Sequence, residues 1–263
     1  MPALLLWSGA SCVAETLMAG GDTVDINLTS QAGIFSWNVE GINVLQQQWY
    51  WYRLGSTGPE RSIDSMTFVN RQLYGTNRVV SNYTDVAVGL ALTLDISLFS
   101  MGPTATLQQS LNWTNNNEAP LTLNVFAYSH FLFGGTNQVS YLPAAKTFYQ
   151  NGTSGEVYIT ATFPSTVVGR EANLYSNTLT SLNDGVATDL PSSGMETASG
   201  DVTSAFQWRQ TVAPGSSFLM GINEDVAMTG EVPEPGSLVL ILGGGALIFA
   251  GKRRAGNRPA WRR

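Results

Sequence analysis

Apolar and polar positions alternate through most of the chain. Leu121, Leu123, Val125, Ala127, Phe131 and Phe133 fall in one phase, with Thr122, Asn124, Tyr128 and His130 in the other. Ala105, Leu107, Leu111 and Trp113 alternate with Thr106, Gln108, Ser110 and Asn112, and Val88, Leu90, Leu92, Leu94, Ile96 and Leu98 repeat within 86–99. A period of two puts successive side chains on opposite faces of a half-buried strand. Residues 44–54 form a longer strand candidate carrying Trp49, Tyr50, Trp51 and Tyr52. Further strands are predicted at 24–28, 34–39, 78–83, 155–162, 202–212 and 217–222, separated by turn pairs such as Gly58-Pro59, Gly102-Pro103 and Pro214-Gly215. Only 171–183 has helical spacing, with Leu174, Tyr175, Leu179 and Leu182 on one face and Gly185 near the C-cap. Many strands and one short helix predict an all-β fold, an antiparallel β-sandwich. No repeat of 20–50 residues is visible, which disfavours a propeller or solenoid.

The two ends break this pattern. Residues 3–14 are small and apolar, with Cys12 and Ala14 where a signal peptidase cutting before Glu15 needs small side chains. A signal peptide over 1–14 is therefore expected, although no Lys or Arg precedes Arg53. The β-domain is expected to fill 15–230. Val232-Pro233-Glu234-Pro235 then stops regular structure, since proline holds φ near −65° and donates no backbone hydrogen bond. Residues 236–251 follow without a charge. As a transmembrane helix they would span about 24 Å, at about 1.5 Å per residue. Lys252, Arg253 and Arg254 can snorkel to make up the shortfall against a ~30 Å hydrocarbon core. The basic tail, 252–263, is expected in the cytoplasm and the domain outside it.

Val-Pro-Glu-Pro, a short apolar span and a Lys/Arg cluster at the C-terminus resemble the PEP-CTERM sorting domain of Gram-negative bacteria, over about 232–254. The resemblance implies processing by an exosortase, a membrane protease-transpeptidase. It also implies export linked to extracellular polysaccharide or biofilm matrix. The family motif maps onto Pro233, Glu234 and Pro235, which would then be substrate residues for another enzyme. Nine residues follow Arg254, where such proteins often end sooner. More loosely, 48–53, 121–128 and 205–208 resemble the β-rich domains found upstream of such tails, which carry no assigned chemistry.

Charge follows the same division. The chain has a net charge of −6, but residues 252–263 hold six of its 13 basic residues and no acid. The other 251 residues keep seven bases against all 19 acids, a net of −12. Nucleic acid is therefore not an expected partner. Cys12 is the only cysteine, which excludes disulfide staples. His130 is the only histidine; with no cysteine set either, no cofactor or metal site is expected. Asp22-Thr23-Val24-Asp25 and Glu224-Asp225 come nearest to calcium spacing and lack the loop pattern. Glu40, Asp64, Asp95 and Glu156 could serve a glycosidase if two of them converged, but the sequence pairs none of them.

Trp49 and Trp51 share one strand face and Tyr50 and Tyr52 the other. Either one pair is an open platform for stacking sugars, with Arg53 beside it to bind ligand or pair with Glu60, or both pairs are packed between layers. The expectation is an exported, exosortase-processed protein of the cell envelope or surface, without enzyme activity and with a structural or adhesive role in an extracellular matrix. The alternative is a carbohydrate-binding module using Trp49, Trp51 and Arg53, with extracellular polysaccharide as partner. A glycoside-active enzyme ranks third.

Overall fold

The computed structural model describes residues 13–163 and 167–229. The chain forms β1 (Ala14–Ala19), β2 (Asp22–Asn27), β3 (Gly33–Val39), β4 (Ile42–Leu54), β5 (Arg61–Ser62), β6 (Thr67–Tyr74), β7 (Arg78–Asp85), β8 (Leu90–Met101), β9 (Thr104–Asn115) and β10 (Leu121–Phe131). Then come β11 (Asn137–Leu142), β12 (Thr147–Asn151), β13 (Gly155–Thr162), β14 (Val167–Leu174), helix α1 (Asn177–Ser181), β15 (Thr197–Gly200), β16 (Val202–Val212) and β17 (Ser217–Met228). Two sheets result. The first runs β1-β2-β3-β4-β10-β16-β14, with β5 on β4; the second runs β15-β11-β12-β13-β17-β9-β8-β7-β6. Every pairing is antiparallel. The predicted antiparallel sandwich with one short helix is the observed architecture.

The core lies between the sheets. Tyr52 of β4 meets Trp113 of β9 at 5.4 Å between ring centroids, and Phe148 of β12 meets Phe206 of β16 at 4.9 Å. Trp37, Trp113, Trp208 and Phe131 are fully buried. Such rings bury about 150–250 Å² each and dominate the packing energy.

Three local expectations are corrected. The predicted helix over 171–183 is strand up to Leu174, because 167–174 pairs as an edge strand with β16; only Asn177–Ser181 is helical. Residues 86–88 form a 3₁₀ turn closed by Gly89 in the left-handed region (φ +59°), so the β8 ladder begins at Leu90. Strands β6, β11 and β12 place apolar residues side by side, as at Phe68-Val69, Tyr141-Leu142 and Phe148-Tyr149, and β15 has no large one, so no alternation stands out. The sorting motif Pro233, Glu234 and Pro235, the apolar span 236–251 and the flank Lys252, Arg253 and Arg254 lie outside the described residues, as does most of the expected signal peptide. Among the described residues no helix is long and apolar enough to cross a membrane.

The two sheets differ on their outer faces. Strand β10 is buried at every position from Leu123 to Phe131, so both of its faces are covered. Strand β9 alternates strictly, with Leu107, Gln109, Leu111 and Trp113 buried and Thr106, Gln108, Ser110 and Asn112 at the surface. The first sheet is covered on both faces around β4 and β10, whereas the second keeps one face open to water. That asymmetry decides where a ligand can reach a sheet.

Candidate functional site

The aromatic strand is not an open platform. Trp49, Tyr50, Trp51 and Tyr52 are all buried, so both pairs are packed and the alternative of an exposed sugar face at Trp49, Trp51 and Arg53 is corrected. Tyr50 and Tyr52 point between the sheets. Trp49 and Trp51 point outward, under segments that cross the strand. The indole N–H of Trp49 donates to Asp64 (3.2 Å), and that of Trp51 donates to Asn183 (3.2 Å), just past α1. Arg53, with its side chain 1% exposed, donates to Glu60 Oε1 (2.6 Å), to the Thr188 carbonyl (2.6 Å) and to Asp189 Oδ1 (2.5 Å). Asp189 also accepts from Gln207 and Arg209. Burial works upward on its carboxyl, but the hydrogen bonds from Gln207, Arg53 and Arg209 hold it below the usual carboxylate range. This network fastens the 184–190 loop onto the sheet. The space left beside Tyr52 and Arg53 is about 130 Å³, well below the roughly 300–1,000 Å³ of ordinary ligand pockets.

His130 sits at the polar phase of β10, as its alternation predicts. Its Nε2 lies 2.6 Å from Asp201 Oδ1, and its ring stacks on Tyr175 at 4.6 Å and 15°. Glu224 and Asp225 cannot act as a calcium pair, because neighbours in a strand point to opposite faces: Glu224 is wholly buried and Asp225 exposed. Glu224 sits in a polar bridge across the core. It accepts from Ser129 Oγ of the first sheet (2.8 Å) and Gln109 Nε2 of the second (3.1 Å), and Gln109 Oε1 accepts from Tyr50 (2.9 Å). Burial pushes the Glu224 carboxyl up to about 8, and also raises the Tyr50 phenol.

The open face of the second sheet holds the candidate ligand site, a groove of about 560 Å³. The registers build it row by row. Tyr74 faces Arg78, which faces Ser97, then Gln108, then Asn223. Beside that row run Asp95, Ser110, Gly221 and Thr162. Gly221 keeps the floor low: a Cβ there would come within 2.7 Å of the Gln109 carbonyl and of Thr162 Oγ1. Arg78 binds Asp95 with two parallel hydrogen bonds, Nε to Oδ1 (2.9 Å) and Nη2 to Oδ2 (2.6 Å), and lies over the Tyr74 ring at 4.9 Å. Asp95 raises the Arg78 pKa through that hydrogen bond and its charge, so the guanidinium is committed to its partner. Tyr74, Phe99 and Phe163 stand at the rim, 43%, 48% and 67% exposed. Hydroxyls, amides and an ion-paired guanidinium between aromatic rings can hydrogen-bond a polyhydroxylated ligand and stack on its apolar side.

Of the residues singled out in the sequence, only Asp95 lines this groove. Glu156 lies farther along the same face, and Glu40 and Asp64 lie elsewhere. Glycosidase acids are therefore not brought together here. Tyr74, Arg78, Phe99 and Phe163 were missed. The available signal was aromatic residues in the polar phase: Phe99 follows Leu98 where a polar side chain is due.

No protein-family model matches the chain, and none of the curated proteins matches it. Solved structures do. A bacterial glucoamylase complexed with acarbose is similar with a TM-score of 0.53 and 9% identity, over 90% of this chain and 36% of that one. This chain thus spans about a third of the glucoamylase. A candidate aldose 1-epimerase from Escherichia coli K12 is similar with a TM-score of 0.52 and 9% identity, over 82% of this chain and 99% of that one. A galactose mutarotase related enzyme from Lactobacillus acidophilus is similar with a TM-score of 0.51 and 8% identity, over 84% and 99%. These likenesses overturn the expectation of a structural or adhesive matrix component without enzyme activity. At such identities what the chain shares with these proteins is the fold: a two-sheet antiparallel sandwich found in proteins named for work on sugars.

Proposed function

We propose that the domain binds carbohydrate in the groove of its second sheet and is carried outside the cytoplasm by a PEP-CTERM sorting segment. The observation that carries the binding reading is the pairing of an open Ser/Thr/Asn/Gln floor with exposed Tyr74, Phe99 and Phe163 around the Arg78–Asp95 ion pair. Aromatic anchors of this kind contribute about 1–2 kcal/mol when they are central to a site, or about five- to thirtyfold in Kd. Phe99→Ala and Tyr74→Ala are expected to weaken binding of a neutral oligosaccharide about tenfold each without changing the melting temperature. Equal affinity in wild type and both variants would place the ligand elsewhere.

Delivery rests on Pro233, Glu234 and Pro235, the apolar span 236–251 and Lys252, Arg253 and Arg254. The domain ends close by: β17 stops at Met228, and Thr229 is tied to the Ser154 and Thr153 carbonyls. Glu234→Ala, expressed with a matching exosortase, is expected to remain unprocessed in the membrane fraction. Release at the wild-type rate would contradict the sorting reading.

A second reading, action on a sugar, is supported by the His130–Asp201 pair. Asp201 is 55% exposed and lies within hydrogen-bond reach of a ring nitrogen of His130, whose own side chain is 7% exposed beneath the Tyr175 ring. The expected result is interconversion of aldose anomers by wild type that His130→Gln abolishes; equal rates in both would remove this reading.

A further inference from the structure

The open face continues well beyond the groove. Following the registers from Phe99, the same cross-strand row passes through Thr106, Asp225, Tyr158, Tyr149, Ser140 and Thr197. Tyr158 and Tyr149 form a pair with ring centroids 4.9 Å apart, and Tyr158 is 39% exposed. Tyr149 donates its hydroxyl to Glu156 (2.7 Å), which fixes the pair against the sheet. Beside it a second groove of about 470 Å³ is lined by Gln138, Ser140, Asn151 and Ser199. Its floor has the same chemistry as the first: neutral hydroxyls and amides next to aromatic rings.

Strand spacing sets the distance between the two. Phe99 lies on β8, Tyr158 three strands away on β13 and Tyr149 four away on β12. At about 4.8 Å per strand, the aromatic platforms lie about 14–19 Å apart. One sugar ring cannot reach both. Charge narrows the ligand further. The outward strand positions of this face carry Asp95, Asp225 and Glu156 but only one base, Arg78, already bound to Asp95. Asp225 accepts from Thr106 (2.7 Å) and points out of the sheet. A polyanion would meet two uncompensated carboxylates along its path.

From this we propose that the Tyr149–Tyr158 pair is a second glycan subsite, and that the face takes an extended neutral polysaccharide laid across the strands from the Phe99 groove to the tyrosine pair. This rests on the glycan-binding reading of the first groove. Occupying one subsite raises the effective concentration of the chain at the other, so affinity should climb with ligand length until both are filled.

The test is calorimetric titration of the full-length protein with neutral gluco-, manno- and galacto-oligosaccharides of two and six units, and with a six-unit oligogalacturonate. For the neutral series that binds, the hexasaccharide is expected to bind wild type at least tenfold more tightly than the disaccharide. Tyr158→Ala should remove that gain, so that the hexasaccharide binds this variant no more tightly than the disaccharide does. Tyr158→Phe, which keeps the ring, should bind like wild type, and melting temperatures check that all variants fold. A hexasaccharide affinity untouched by Tyr158→Ala but lowered by Phe99→Ala would overturn the second subsite while leaving the first groove in place. Tighter binding of the oligogalacturonate would overturn the neutral-ligand assignment. Failure of every oligosaccharide to bind would remove the groove reading and this inference together.

Discussion

Glu224→Gln is expected to make the protein more stable at neutral pH and to flatten its stability against pH. Glu224 is wholly enclosed, and burial raises its pKa from about 4.5 to about 8; the hydrogen bonds from Ser129 and Gln109 favour the ionised form but do not win. In the unfolded chain the carboxyl titrates near its ordinary value. The group's folded pKa is thus above its unfolded one, and folding takes up a proton between them. Its effect on stability is most favourable below about pH 4.5 and is lost as pH rises to about 8, by about 1.4 kcal/mol per pH unit. Over the whole interval that is a few kcal/mol, a large part of a typical domain's stability. Glutamine has the size of the protonated acid and, like it, both donates and accepts hydrogen bonds without a charge. The Gln109 amide can turn to accept its N–H and present its own N–H to the Tyr50 hydroxyl. Urea unfolding from pH 5 to 9 should show the wild-type midpoint falling with pH and the variant's nearly constant. Parallel curves would show that Glu224 is not held neutral in the core.

Arg53→Ala is expected to destabilise the fold by about 3–5 kcal/mol, the usual cost of stranding a buried charge by deleting its partner. The loss is asymmetric. Glu60 has a fully buried side chain, its carboxyl already raised by burial despite Arg53, and it would keep backbone N–H donors, Thr188 (2.9 Å) and its own, but no positive charge. Asp189 is largely exposed and retains Arg209 (2.7 Å), so Asp189→Asn should cost far less. Deleting Arg53 also unties the 184–190 loop from the sheet. Denaturant unfolding of both variants measures the difference, and limited proteolysis should cut 184–190 faster in Arg53→Ala. Similar stabilities for the two variants would mean the network is held by its exposed part.

The sheets were legible in the sequence because burial on one face of a strand prints a period of two. That holds best for the second sheet, where β8 and β9 keep strict alternation. It fails where both faces are covered. Strand β4 reads as an aromatic run, and nothing local tells a Trp facing water from one roofed by Asn183, 132 residues away. The candidate site was illegible for the same reason in reverse. Arg78, Asp95, Gln108 and Asn223 become neighbours only through the order β7-β8-β9-β17, which brings the last strand of the domain beside β9. The end of β14 was misread because Leu174 and Tyr175 match a helical face, while pairing to β16 decides the backbone.

The most direct measurement is where sugar touches the protein. Isotope-labelled protein titrated with a neutral hexasaccharide should show amide shifts concentrated on β7, β8, β9, β17 and β13, with Ser97, Gln108, Ser110 and Asn223 among the largest. Shifts confined to the roofed side of the first sheet, around Trp51, Asn183 and Arg53, would contradict a binding site on the open face of the second sheet.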